Sequence, residues 1–159
     1  MKQMELAKWL KLVIAFAALI GLFLCFVIAP ALGHDAVLMY PELDYMFWPC
    51  LIFIWITAVP FYFALYKAWS ICKEVAKDNS FCLENAKGLK DIGKLALFEC
   101  ILYLVGMIIL FSLNLLHPSI LLIILFVIFM GGSIGIVSFT LSHLIKKASD
   151  LKEENDLTI

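Results

Sequence analysis

Residues 118–142 read PSILLIILFVIFMGGSIGIVSFTLS, and His143, Lys146 and Lys147 follow directly. No Asp, Glu, Lys or Arg interrupts this run, and about 20 apolar residues in a helix suffice to cross a ~30 Å hydrocarbon core. Three more stretches qualify: 12–33, 45–66 and 95–116, the last carrying a single acid, Glu99. The pattern predicts an all-α polytopic membrane protein with four transmembrane helices in one domain spanning 1–159. Composition agrees, since 64% apolar residues and a mean hydropathy of +1.02 are too hydrophobic for a soluble globular chain of 159 residues.

Charge then sets an expected orientation. Lys2, Lys8 and Lys11 precede the first segment. Lys67, Lys73, Lys77, Lys87, Lys90 and Lys94 lie between the second and third, and Lys146, Lys147 and Lys152 follow the fourth. The stretch between the first two segments holds Asp35, Glu42 and Asp44 and no lysine. The positive-inside rule predicts cytoplasmic termini (N-in, C-in), a cytoplasmic loop 67–94 and a cytoplasmic tail 143–159. The net charge of −1 conceals this asymmetry. Arginine is absent, which removes the bidentate guanidinium clamp favoured for phosphates and carboxylates. Trp9, Tyr66 and Trp69 fall at the expected inner ends of the segments, and Tyr40, Tyr45 and Trp48 at the outer ends, where amphipathic rings prefer the headgroup zone. The first segment exceeds the 7–15 apolar residues of a signal core and carries Pro30 in the cleavage region, so a retained helix is expected.

The connections are unequal. Asn114 to Ser119 reads as a tight turn, and His34 to Asp44 as an outer loop of about eleven residues, too short to fold alone. The stretch 67–94 reads as two helix extensions broken at Asp78-Asn79-Ser80. Ser80 is the expected N-cap, with Glu84 in the first turn against the helix dipole, and an amphipathic juxtamembrane helix then leads into the third span. Small residues suggest where helices approach: Gly131 and Gly135, extended by Ser138 and Ser142, in the fourth span, and Ala17, Gly21 and Cys25 in the first. These faces predict packing within a compact bundle, with a homodimer as the other use. Pro60 should bend the second span and leave the carbonyl of Ile56 without its helical partner.

Candidates for chemistry are few. Glu99 is the one acid within a span and so an intramembrane functional candidate, although it lies only five residues, about 7 Å, beyond Lys94. His34, His117 and His143 lie near the ends of segments and offer no facing mid-span pair for haem. Cys25, Cys50, Cys72, Cys82 and Cys100 contain no CxxC motif and read as small apolar packers. No phosphate loop, zincin helix or serine nucleophile motif is present. The expectation is a non-enzymatic protein without cofactor, metal or catalytic residues, whose partners are the lipid bilayer and another protein, not nucleic acid directly.

The stretch Asn79-Ser80-Phe81-Cys82-Leu83-Glu84-Asn85, then Leu89 and Ile92-Gly93, and the closing Leu151 to Ile159, LKEENDLTI, resemble the YoaS-like family of small four-helix bacterial membrane proteins of unknown function. The resemblance covers nearly the whole chain. Relatives often carry arginine near the position of Leu89, where this chain has Lys87 and Lys90, a departure that preserves charge. The resemblance implies a bacterial cytoplasmic membrane location. It also implies a partner, since such proteins are commonly encoded beside a small Xre-type helix-turn-helix regulator. The contacts expected for that partner are Glu84, Asn85, Glu153, Glu154, Asn155 and Asp156. The rival expectation is a small-molecule transporter or membrane immunity protein acting as a dimer through the bundle interior, built on Glu99.

Overall fold

The computed structural model describes residues 3–156, of which Gln3, Asn155 and Asp156 are described without their side chains. Lys2 and Leu157 to Ile159 lie outside the described residues, as do the side chains of Asn155 and Asp156. Every described element is helical: α1 (Gln3–Phe23), a π turn (Leu24–Ile28), α2 (Ala29–Met39), a 3-10 turn (Pro41–Leu43), α3 (Asp44–Ala76), α4 (Leu83–Ser112) and α5 (Pro118–Asp156). Helix α1, the π turn and α2 run on without a break, so four rods result, each long and apolar enough to cross a membrane. The surface is inverted relative to a soluble protein. Phe16, Phe23, Phe126, Phe129 and Val137 are exposed, while the buried apolar residues are mostly small: Ala7, Cys72, Ala86 and Cys100. Such a surface is favourable against lipid and costly against water.

Pro30 explains the π turn. It has no N–H to donate, and its ring crowds the carbonyl one turn back. The helix widens instead of breaking, and the Ala29 N–H reaches back to the Leu24 carbonyl. The helix therefore continues to Met39. The eleven-residue outer loop expected from the sequence shrinks to Tyr40 and the 3-10 turn, because 34–39 (His-Asp-Ala-Val-Leu-Met) contains no glycine or proline to stop it.

The rods pack in succession: α1 and α2 on α3, α3 on α4, and α4 on α5. Among the described residues α1 and α5 do not pack on each other, so the compact bundle expected from the sequence is instead an open row. The small residues account for each seam. A side chain on Gly21 would meet the Tyr62 hydroxyl at 2.8 Å, and that hydroxyl donates to the Ala18 carbonyl at 2.8 Å. At Gly131 it would meet Cys100 Sγ at 2.8 Å, and Gly106 is filled by Phe53 at the same distance. Ser138 is buried, and the buried Ser142 hydroxyl donates to the Ala86 carbonyl at 2.6 Å. The Gly131, Gly135, Ser138, Ser142 face is thus spent on α4, and a homodimer would need another surface.

Two turns close alike. Asp78 (φ 64°) and Asn114 (φ 55°) take left-handed backbones just past α3 and α4. Asn79 N–H bonds Glu74 O and Asp78 N–H bonds Val75 O; likewise Leu115 N–H bonds Leu110 O and Asn114 N–H bonds Phe111 O. These are Schellman closures with Asp and Asn in the place glycine usually takes. The tight turn expected at 114–119 is present: Pro118 opens α5, and His117 Nδ1 accepts the Ser119 N–H at 3.4 Å. At the other turn the N-cap of α4 is Cys82, not Ser80, and its side chain makes no cap bond.

Candidate functional site

The lysine-bearing segments gather at one end of the row. Lys11 lies over the Trp69 ring, 5.7 Å from its centroid, and Lys67 Nζ donates to Asp91 Oδ2 at 2.7 Å. Helix α3 has 33 residues and is about 50 Å long, well beyond a ~30 Å core. Its last turns and the first turns of α4 therefore project past the apolar zone as a helical hairpin.

That hairpin is braced throughout. Besides the Lys67–Asp91 pair, Glu74 accepts from Lys77 at 2.7 Å and from Asn79 Nδ2 at 3.5 Å. Hydrogen bonding to Lys67 holds the Asp91 carboxyl below its usual range and raises Lys67 in turn. The Lys77 bond does the same to Glu74 and Lys77. Asn85 is 2% exposed, and its amide donates to the carbonyls of Asn79 and Ser80 at 3.3 and 2.9 Å. Expected from the sequence as a partner contact, Asn85 instead shapes the turn from inside, because a buried amide must spend its donors locally.

What the tip presents outward is mixed. Glu84 is exposed in the first turn of α4. Phe81 is 60% exposed and Leu83 41%, two large apolar side chains in an otherwise polar turn. Both lie in the stretch that carries the family resemblance, and their signal in the sequence is apolarity amid Asp, Asn and Ser. The carboxylates of Glu74 and Glu84 and the Cys82 thiol lie within 4.8 Å of one another, but both Glu74 oxygens are already engaged in the turn. Glu153 and Glu154 are exposed near the end of α5. With Ser142 level with Ala86, the helical rise sets them about 13 Å beyond Glu84 along the axis, so the structure does not merge the two acidic groups.

The second candidate lies within the row. Glu99 shares the α3-facing side of α4 with Tyr103 and Gly106, and the pairs Lys67–Asp91 and Phe53–Gly106 place it level with Pro60 across the seam. Its Oε2 is buried and has no hydrogen-bond partner among the described residues. All five cysteines are free thiols.

Comparison with known proteins matches the sequence to a family. Residues 31–159 match the family described as "Protein of unknown function (DUF2975)". The chain is 31% identical over 153 residues to the "Uncharacterized membrane protein YoaS" of Bacillus subtilis (strain 168), covering 95% of this chain and 96% of that one. No solved structure matches. With four apolar rods and a match to a membrane protein along almost its full length, the chain belongs to the DUF2975 family of YoaS-like multi-pass membrane proteins.

Proposed function

We propose that the protein is a non-enzymatic membrane tether that holds a small cytoplasmic transcriptional regulator of the helix-turn-helix class at its lysine-bearing end, with both termini and the α3–α4 hairpin in the cytoplasm. The observation that carries this reading is the braced hairpin tip, where Phe81 and Leu83 stand exposed beside Glu84. A rigid, projecting apolar pair with a charged rim has the anatomy of a protein contact. The partner class rests on the family resemblance. The acidic groups Glu84, Glu153, Glu154 and Asp156 complement the basic surface that such a regulator turns to DNA, and would compete with the phosphate backbone for it. Asn85 serves the tip indirectly by holding its turn.

The test is co-purification of the detergent-solubilised protein with the regulator encoded beside its gene, at low and high salt. Phe81→Ser with Leu83→Ser, and removal of residues 151–159, should each weaken retention, the latter most at low salt. A folded regulator that is not retained by the intact protein under any condition overturns the reading. The orientation has its own test. With the native cysteines replaced, Phe81→Cys should react with a membrane-impermeant thiol reagent only after cells are permeabilised.

The unpartnered Glu99 Oε2 level with Pro60 favours one other reading, a dimeric transporter or immunity protein working through the membrane interior. Glu99→Gln separates the two: it abolishes a transport or immunity phenotype and leaves regulator retention unchanged.

A further inference from the structure

Among the described residues helix α1 packs across on α3 alone, and no other helix fills the valley beside their seam. An open hollow of about 550 Å³ lies there, walled by Leu22, Phe26, Trp55, Val59, Phe63 and Tyr66 among others. A second, of about 360 Å³, lies further along α1 at Glu5, Lys8, Trp9 and Leu12. The two share one stripe of α1, since 8, 12, 15, 19, 22 and 26 recur at alternating steps of four and three. Across the seam 55, 59, 62, 66, 69 and 73 recur in the same way. Both stripes are apolar or aromatic for most of their length, and both end in lysine: Lys8 on α1 and Lys73 on α3.

The register brings those ends together. Lys11 sits over the ring of Trp69, and one further turn outward on each helix places Lys8 level with Lys73. Lys8 and Lys73 are exposed, and neither is in an ion pair among the described residues. The one carboxylate lining either hollow is Glu5, against the ammonium groups of Lys8, Lys11 and Lys73 at this end. Lys67, by contrast, is neutralised by Asp91.

We propose that this valley is a binding site for an anionic phospholipid, with one acyl chain in the α1–α3 hollow and the phosphate held among Lys8, Lys11 and Lys73. Depth supports a lipid of one leaflet. From Trp69 to Val59 is ten residues, about 15 Å, half of a ~30 Å core. Trp69 and Tyr66 occupy the level where indole and phenol rings favour the headgroup boundary, and lysine stems extend along apolar surface toward it. Charge selects the headgroup, since a zwitterionic lipid leaves the ammonium excess unmet whereas a phosphatidylglycerol reduces it. The hollow supplies what a merely basic surface lacks, a fitted place for the chain.

Native mass spectrometry of the full protein, released from detergent with phosphatidylglycerol or phosphatidylcholine of identical chains, tests this. The expected result is several-fold greater retention of phosphatidylglycerol, unaffected by excess glycerol 3-phosphate, which has the charge without the chain. Lys8→Gln, Lys11→Gln and Lys73→Gln together should bring it to the phosphatidylcholine level, Val59→Trp should reduce both lipids, and Lys146→Gln with Lys147→Gln should leave the preference intact. Equal retention of the two lipids by the unaltered protein overturns the proposal, as does an equal loss of preference in the Lys146/Lys147 control. If the triple variant fails to fold, each single lysine variant is compared instead, and unchanged preference in all three is a negative result.

Discussion

The indole Nε1–H of Trp55 on α3 donates to the backbone carbonyl of Cys25 in the π turn at 3.2 Å, with the Trp55 ring 5.9 Å from that of Phe26. That carbonyl has lost its helical donor twice over. The Ala29 N–H has moved to Leu24, and Pro30, next in the widened register, has no N–H. In hydrocarbon no water can replace the missing donor, so the tryptophan joins the first rod to the second at the point where Pro30 disturbs it.

Trp55→Phe keeps the ring and removes the donor. It should lower stability in detergent by about 1 kcal/mol, read from thermal unfolding followed by circular dichroism. Pro30→Ala restores an N–H to the turn, so the loss from Trp55→Phe should shrink in that background. Equal losses in the two backgrounds would refute the pairing of Pro30 with Trp55.

The glycines differ in a way their spacing does not show. Gly21→Ala drives its methyl group against the Tyr62 hydroxyl, and Gly131→Ala against Cys100 Sγ, at 2.8 Å each. Each should cost about 1–3 kcal/mol through overpacking. Gly132→Ala meets nothing within 4 Å and should be neutral or stabilising by up to ~1 kcal/mol, the helix-propensity difference. The same unfolding measurement ranks all three.

The Lys67–Asp91 brace should depend on pH in a defined direction. Asp91 is lowered in the folded state, so its contribution is complete above the unfolded carboxylate value of about 4 and is lost as pH falls through the lowered one. Lys67 is raised, so its contribution is complete below the unfolded lysine value of about 10.4 and is lost as pH rises through the raised one. The brace therefore holds across neutral pH. Both side chains are 39% exposed, so salt should weaken it. The protection of the hairpin amides against hydrogen exchange, taken relative to the intrinsic rate at each pH, should fall in acid in the native protein, and Asp91→Asn should remove most of that dependence.

Asn85→Ala should open the turn without unfolding the rods. It leaves the carbonyls of Asn79 and Ser80 without the amide that now serves both. Limited proteolysis at 78–82 should speed up several-fold while the melting temperature of the membrane helices changes little. Regulator retention should fall with it, since Phe81 and Leu83 are carried on that turn.

Much of this protein was legible in one dimension. Apolar run length alone determines four membrane-crossing helices, because lipid obliges every backbone polar group to be satisfied within its own segment. The grouping of lysines at one end follows from their order along an up-and-down path, and the small residues at 21, 131, 135, 138 and 142 announced where helices approach. Which helix each face meets was decided only in three dimensions. A glycine stripe promises a close neighbour without naming it, so the seams of α1 with α3 and of α5 with α4 closed an open row where a bundle was expected. The same holds for single polar groups. Asn85 turned inward, Phe81 stayed outside, the stretch after Pro30 remained helical, and Trp55 found the Cys25 carbonyl, because a polar atom's partner is set by what lies across a seam and not by its neighbours in sequence.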